Sequence, residues 1–276
     1  MRTSYDGTWL LHAKPSSTST LTSACGVDTG APSSSGSAPN ATSGTRSSRN
    51  ASPRQTTARR LVPDGAKKRP RHVVLTGGIA TGKSYVLAQF DRMGVPTLDA
   101  DRLAHQTYAP GGPAWLAIRD RFGMDLFDDE NWVDRRRLAT LVFGDREALA
   151  ALNSVVHPHV RTAITQWLTD LNRKSSKPFT VVAIPLYYEG TQAKTFDSVI
   201  VTACHADRQL RRVQDRGLDK QEAMRRIEAQ LPTADKVARG DYVIWTDGAL
   251  TDTEHRVKEV YRELSEISPL DCTSPT

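Results

Sequence analysis

No apolar run in the 276 residues is long enough to cross a bilayer, so the expectation is a soluble chain without a membrane partner. Cysteine is scarce: Cys25, Cys204 and Cys272 lie far apart and form no Cys-x-x-Cys pair. That argues against a disulfide framework or a zinc knuckle and fits a cytoplasmic location. A basic excess is also missing from most of the chain. The overall balance is +6, from 37 Lys and Arg against 31 Asp and Glu. Residues 1–70 alone hold ten basic residues against three acidic ones, leaving 27 basic against 28 acidic in the remainder. The larger part therefore gives no case for a nucleic-acid-binding domain. Aliphatic residues are few between Lys14 and Arg60, where Ser, Thr, Ala, Gly, Pro and Arg dominate. Such a segment cannot bury enough surface to offset ordering entropy, and residues 1–70 are expected to be a disordered tail. An idle tail, a targeting segment and a binding arm are all open readings of it.

What is present begins at Gly77. Gly77-Gly78-Ile79-Ala80-Thr81-Gly82-Lys83-Ser84 fits Gly, four residues, Gly-Lys-Ser, between a strand expected at His72–Thr76 and a helix expected at Ser84–Met93. Glycine lets successive N–H groups converge on phosphate oxygens at a helix start. Lys83 brings a mobile charge to the β and γ phosphates, and the Ser84 hydroxyl suits Mg²⁺. No Asn-Lys-x-Asp tetrapeptide occurs, which argues against a guanine-nucleotide switch.

A second strand, Val95–Leu98, leads into Asp99-Ala100-Asp101. At a strand's carboxyl end these acids face the ligand crevice of an open α/β sheet, as proton acceptor or metal-shell ligand; each is also a good helix cap. Residues 103–172 read as helices at Pro113–Phe122, at Arg135–Phe143 and from Asp145 to Leu171, the last broken or kinked by Pro158. Trp115, Phe122, Trp132 and Phe143 are expected in the core of this substrate-side insertion. His157-Pro158-His159 lacks the further ligands of a zinc site and reads as structural. Strands follow at Phe179–Ile184, Phe196–Thr202 and Tyr242–Trp245, with a closing helix at Thr251–Leu264. The first of these ends in Pro185-Leu186-Tyr187-Tyr188-Glu189, placing Glu189 near the crevice. Strands alternating with helices predict a parallel sheet covered on both faces. Arg208, Arg212, Arg216 and Lys220 share one i, i+4 row, which an arriving polyphosphate would stabilise and which equally suits a solvated basic face.

The ordered set of these motifs resembles dephospho-CoA kinase, from about Val73 to Val260. It is carried by Thr76 to Ile79 with Lys83-Ser84, Asp99-Ala100-Asp101, Asp134-Arg135 with Leu138 and Phe143, and His157-Pro158. Pro185-Leu186 with Glu189, Gln209-Leu210 with Arg212 and Arg216, and Arg226-Ile227 with Gln230 complete it. The resemblance implies a three-layer α/β/α P-loop fold with a five-stranded parallel sheet. The kinase domain would span residues 71–266, with a helical insertion at 103–172, a lid at 205–240 and a disordered end at 267–276. It implies transfer of the γ-phosphoryl of ATP, with Mg²⁺, to the ribose 3′-hydroxyl of dephospho-CoA. Asp101 matches the family's proposed base; Lys83, Arg212 and Arg216 join it as catalytic candidates. Residues Gly77 to Tyr85 would bind nucleotide, with Ser84 on the metal. Asp99, Asp101, His157, Pro185, Leu186 and Glu189 would meet the acceptor. Three departures stand out: Ala80 where glycine is frequent, Tyr85 where threonine is frequent, and Trp245-Thr246-Asp247 where an Asp-Asn element is common.

Overall fold

The computed structural model describes residues 68–190, 196–267 and 270–271. The expectations for residues 1–67 and 272–276 lie outside the described residues.

The described chain runs β1 (Lys68–Arg69), β2 (Arg71–Gly77), α1 (Lys83–Arg92), β3 (Thr97–Asp99), α2 (Ala100–Thr107), α3 (Trp115–Phe122), α4 (Arg135–Gly144) and α5 (Arg146–Lys174). It continues through β4 (Phe179–Ala183), β5 (Ser198–Ala203), α6 (Ala206–Gln214), α7 (Lys220–Glu228), α8 (Thr233–Val237), β6 (Tyr242–Trp245), α9 (Leu250–Glu266) and β7 (Leu270–Asp271). Five strands form one parallel sheet in the order β3-β4-β2-β5-β6. The central β2 aligns Val73 with both Val181 and Ser198, so its end at Gly77 projects between two neighbours.

Both faces of the sheet are covered because its strands alternate between two cores. Val73, Leu75 and Val181 join Phe90 of α1 and Val257, Val260 and Leu264 of α9. Val74 and Val182 turn the other way, to Ile164 and Leu168 of α5. Successive side chains on a strand point to opposite faces, which is why these strands read as continuous apolar runs.

The helical insertion has its own core, in which Ile118, Leu138, Val142, Leu149, Leu152 and Val156 meet Ala104 of α2 and Tyr108 at its end. Trp115 and Phe122 pack against it, whereas Trp132 is 51% exposed and is no core residue. The Phe143 side chain lies outside the described residues.

Pro158 does not break α5, which is continuous over 29 residues. Proline lacks the N–H that would bond one turn back, at a cost of about 3 kcal/mol in an isolated helix. Here Leu149, Leu152 and Val156 are buried in the insertion before it, and Ile164 and Leu168 against the sheet after it. Burial on both sides offsets the loss. α5 thus serves both cores, the insertion's before Pro158 and the sheet's after it.

Described secondary structure also begins before residue 71 and extends past 266. β1 pairs antiparallel with β7, Lys68 opposite Asp271. Arg69, 7% exposed, makes a two-pronged pair with Asp197 at 2.7 and 2.8 Å, and Asp197 accepts the His72 N–H at 2.7 Å. These contacts hold the Asp197 carboxyl below its usual range against the upward push of burial.

Candidate active site

Residues 78–82 leave β2 as a turn and Gly82, at φ 91°, caps α1. A Cβ at Gly77 would collide with Thr202 of β5, so the close approach of neighbouring strands requires glycine there. Ala80 also has a left-handed backbone, at φ 56°. That conformation costs an L-residue about 1–2 kcal/mol, which explains why glycine suits this position and shows that the chain sustains alanine.

The turn is braced from behind. The Ile79 N–H donates to Gln230 Oε1 and the Ile79 carbonyl accepts from Gln209 Nε2, both at 2.8 Å. Thr81 Oγ1 donates to the Gly78 carbonyl at 2.8 Å. Arg212 donates to the Ala80 carbonyl at 3.3 Å, to Thr246 Oγ1 at 2.9 Å and to the Thr246 carbonyl. Thr246 in turn donates to the Thr81 carbonyl at 3.0 Å. The departure at Trp245-Thr246-Asp247 thus supplies a hydroxyl at the turn, while Trp245, 48% exposed, stacks on His205. Tyr85, the other departure, donates to Glu254 of α9 at 2.6 Å.

Residues 79–85 of the turn line a cavity of about 240 Å³ together with Asp99, Asp101, Arg102, His105, Pro185 and Arg216. Gly77 and Gly78 stand behind it: Lys83 Nζ donates to their carbonyls at 3.0 and 2.9 Å. Asp99 ends β3 and caps α2, its carboxylate accepting the Asp101 N–H at 2.9 Å. Both readings of this acid hold together, since it caps and also faces the cavity. Burial, then the Asp99 charge, pushes the Asp101 carboxyl up to about 7, against the pull of Lys83 and Arg135. Burial, then the Lys236 charge, pulls the Lys83 amine down to about 8. A carboxylate that accepts protons near neutrality thus faces a cation of the turn.

The remaining candidates fall at different places in the structure. The arginine row is not continuous: α6 ends at Gln214, Gly217 takes φ 93°, and Asp219 caps α7 by accepting the Glu222 N–H at 2.8 Å. Arg216 therefore sits on a turn, exposed and lining the cavity, while Lys220 opens the next helix. Arg212 braces the turn and is absent from the cavity lining. Glu189 does not line the cavity either. It accepts the Leu231 N–H at 2.9 Å and pairs at 2.7 Å with Lys236 of α8, whose side chain is fully buried. Leu186 is buried, at 3% exposure, and its neighbour Pro185 lines the cavity and accepts from Thr76 Oγ1 at 3.1 Å. His157 lies half-buried on α5 and is not among the cavity residues. Among the described residues, no group of three or more His, Cys, Asp or Glu could hold a metal ion.

Arg102, His105 and Arg135 were not singled out as site residues in the sequence. His105 Nε2 meets Arg135 Nη2 at 2.8 Å, and His105 Nδ1 meets the Tyr108 hydroxyl. Burial and then the Arg135 charge hold the imidazole down to about 4, so it is neutral. Arg135 is among the residues that carry the family resemblance; for His105 the only signal was a tyrosine three residues later, at the end of the helix.

A glycine turn closing a central parallel strand onto a helix, with an acid two strands away and arginine-bearing helices packed on the turn, defines a P-loop phosphotransferase. The known proteins to which the chain is similar narrow that class. The dephospho-CoA kinase family matches residues 71–252, and the chain belongs to that family. It is 35% identical over 190 residues to the dephospho-CoA kinase of Carboxydothermus hydrogenoformans, covering 68% of this chain and 92% of that one. The enzyme of Shouchella clausii is 37% identical over 195 residues, covering 70% and 97%. Among solved structures, a Thermus thermophilus protein superposes with a TM-score of 0.60 at 33% identity, over 71% of this chain and 99% of its own. Dephospho-CoA kinase from Campylobacter jejuni gives 0.55 at 26% identity, over 71% and 97%.

Proposed function

We propose that the chain transfers the γ-phosphoryl group of ATP to the ribose 3′-hydroxyl of dephospho-CoA, yielding coenzyme A and ADP. The observation that carries this reading is the shared cavity: Asp101 and the turn residues 79–85 line one space of about 240 Å³. Lys83 serves the β and γ phosphates. Asp101 takes the 3′-hydroxyl proton as the ribose oxygen bonds to the γ phosphorus and the bond to the β,γ-bridging oxygen breaks. Asp99 fixes the backbone of Asp101, and Arg216 adds positive charge where the phosphoryl oxygens pass. The donors fit Mg²⁺, since the exposed Ser84 hydroxyl and the Asp99 carboxylate offer hard oxygens to the same space. Bound there, the ion would neutralise phosphate charge.

In this reading the helical part between β3 and β4 forms the acceptor side, and residues 205–240, packed on Ile79 and Ala80, form the lid base. The reaction belongs in the cytoplasm. Among the described residues no helix is long and apolar enough to cross a membrane. Purified protein with Mg²⁺ and ATP is expected to convert dephospho-CoA to coenzyme A in a coupled ADP assay. Turnover of another acceptor from a panel of nucleosides, nucleotides and shikimate-type acids, with none of dephospho-CoA, would overturn the proposal.

A further inference from the structure

One residue of the turn between β2 and α1 is held by two helices. Gln209 Nε2, in the first turn of α6, donates to the Ile79 carbonyl, and the Ile79 N–H donates to Gln230 Oε1, just beyond the end of α7. Both bonds are 2.8 Å long, and both glutamines are buried, at 4% exposure. Gly78 makes the room for them: a Cβ there would stand 2.7 Å from Gln209 Nε2 and 3.6 Å from Gln230 Oε1. Ile79 and Ala80 also pack on Val213 of α6 and Ala223 of α7. Apolar contact is non-directional and resists sliding weakly, whereas a hydrogen bond demands a distance and an angle. The register of the two helices on the turn is therefore set at Ile79. Their connection carries Arg216, which lines the cavity with Lys83 and Asp101.

We infer that Gln209 and Gln230 are positioning residues for Arg216: together they fix α6 and α7 on the turn at the setting that puts this arginine in the cavity. The inference rests on the phosphotransfer reading above. One helix holds the carbonyl of Ile79 and the segment after the other holds its N–H, so a tilt of the pair strains one bond or the other. Neither glutamine lines the cavity, and their effect reaches the phosphates only through the turn and Arg216. Binding of ATP at the turn and the placing of Arg216 on its phosphates are thereby joined. The acceptor side, built on β3 and α2, takes no part in this linkage.

The test uses Gln209→Met and Gln230→Met, which keep the volume and remove the bonds, each in the wild-type and the Arg216→Ala background. It measures kcat, the KM of both substrates and, by nucleotide titration, ATP binding without an acceptor. In the wild-type background each variant is expected to lower kcat and weaken ATP binding by about three- to tenfold, the factor one neutral hydrogen bond carries, with the dephospho-CoA KM unchanged. With Arg216 already removed, the same substitution is expected to cost less than about twofold, because the group it positions is gone. Gly78→Ala pushes the Gln209 amide aside without deleting a hydrogen-bonding group, so it should give the same pattern and carries the test if a Met variant misfolds. A full loss in the Arg216→Ala background would overturn the inference, since the amides would then act on the turn alone. So would a lower Tm with kcat and ATP binding unchanged, the mark of a merely structural role. Absence of dephospho-CoA turnover by the wild type would overturn the kinase reading instead, and the ATP titration would still decide the inference.

Discussion

Asp99 accepts the backbone N–H of Asp101 at 2.9 Å, so one acid fixes the position of the next and at the same time raises its proton affinity. Replacing Asp101 by Asn keeps the shape and removes the base. Turnover is expected to fall by about 10²–10⁴, with ATP binding nearly unchanged, as measured by steady-state kinetics and nucleotide titration. In the wild type, kcat/KM for the acceptor is expected to rise as pH passes about 7, where Asp101 ionises, and the variant should lose this limb. Equal activity in the variant would remove Asp101 from the chemistry.

The same substitution is expected to affect stability in the opposite sense. A carboxyl raised to about 7 in the folded protein binds its proton more tightly folded than unfolded. Its favourable contribution is complete below the ordinary carboxyl range and is lost as pH rises through about 7. At pH 8 Asp101→Asn should therefore be more stable than wild type by about 1–3 kcal/mol, a gap that closes near pH 4 in denaturant titrations.

Arg212 ties the Ala80 carbonyl to Thr246. Arg212→Ala is expected to destabilise by about 1.5–3 kcal/mol and to raise the KM for ATP, because the turn loses its brace. Arg212→Lys should recover little, since a single ammonium cannot reproduce the fork. Unaltered thermal stability with a selective loss of kcat would indicate that Arg212 acts on the phosphates instead.

Glu189 and the buried Lys236 test as a pair. Removing one partner leaves a buried charge uncompensated, so Glu189→Gln and Lys236→Met are each expected to cost about 3–5 kcal/mol. The double variant should cost less than the sum of the two. Strict additivity in urea unfolding would show that the contact is not energetically coupled.

Ala80→Gly relieves a left-handed alanine at the cost of a freer unfolded chain. The expected net is a gain of about 0.5 kcal/mol, read as a higher Tm. A lower Tm would mean that the packing of Ala80 against Val213 and Ala223 outweighs its backbone strain.

The sheet was legible because its strands are buried on both faces. Tyr242–Trp245 was located to the residue, and the turn between β2 and α1 was set by its glycines and Lys83-Ser84. What could not be read depended on distant partners. Pro158 signals a break locally, but burial on both sides of it carries α5 through. The arginine row obeyed helical spacing until Gly217 and the Asp219 cap divided it. Glu189 was placed near the crevice by its strand, yet a lysine 47 residues later holds it. His105 and Arg135 lie 30 positions apart and meet only when α2 and α4 are brought together.

The pairing of β1 with β7 makes the chain enter and leave this domain at one place. A domain with adjoining ends behaves as a plug. It can be spliced into a surface loop of a host protein, or have its ends joined and reopened elsewhere, without pulling the parallel sheet apart. The graft must begin no later than Arg69, whose pair with Asp197 secures the entry strand to the body.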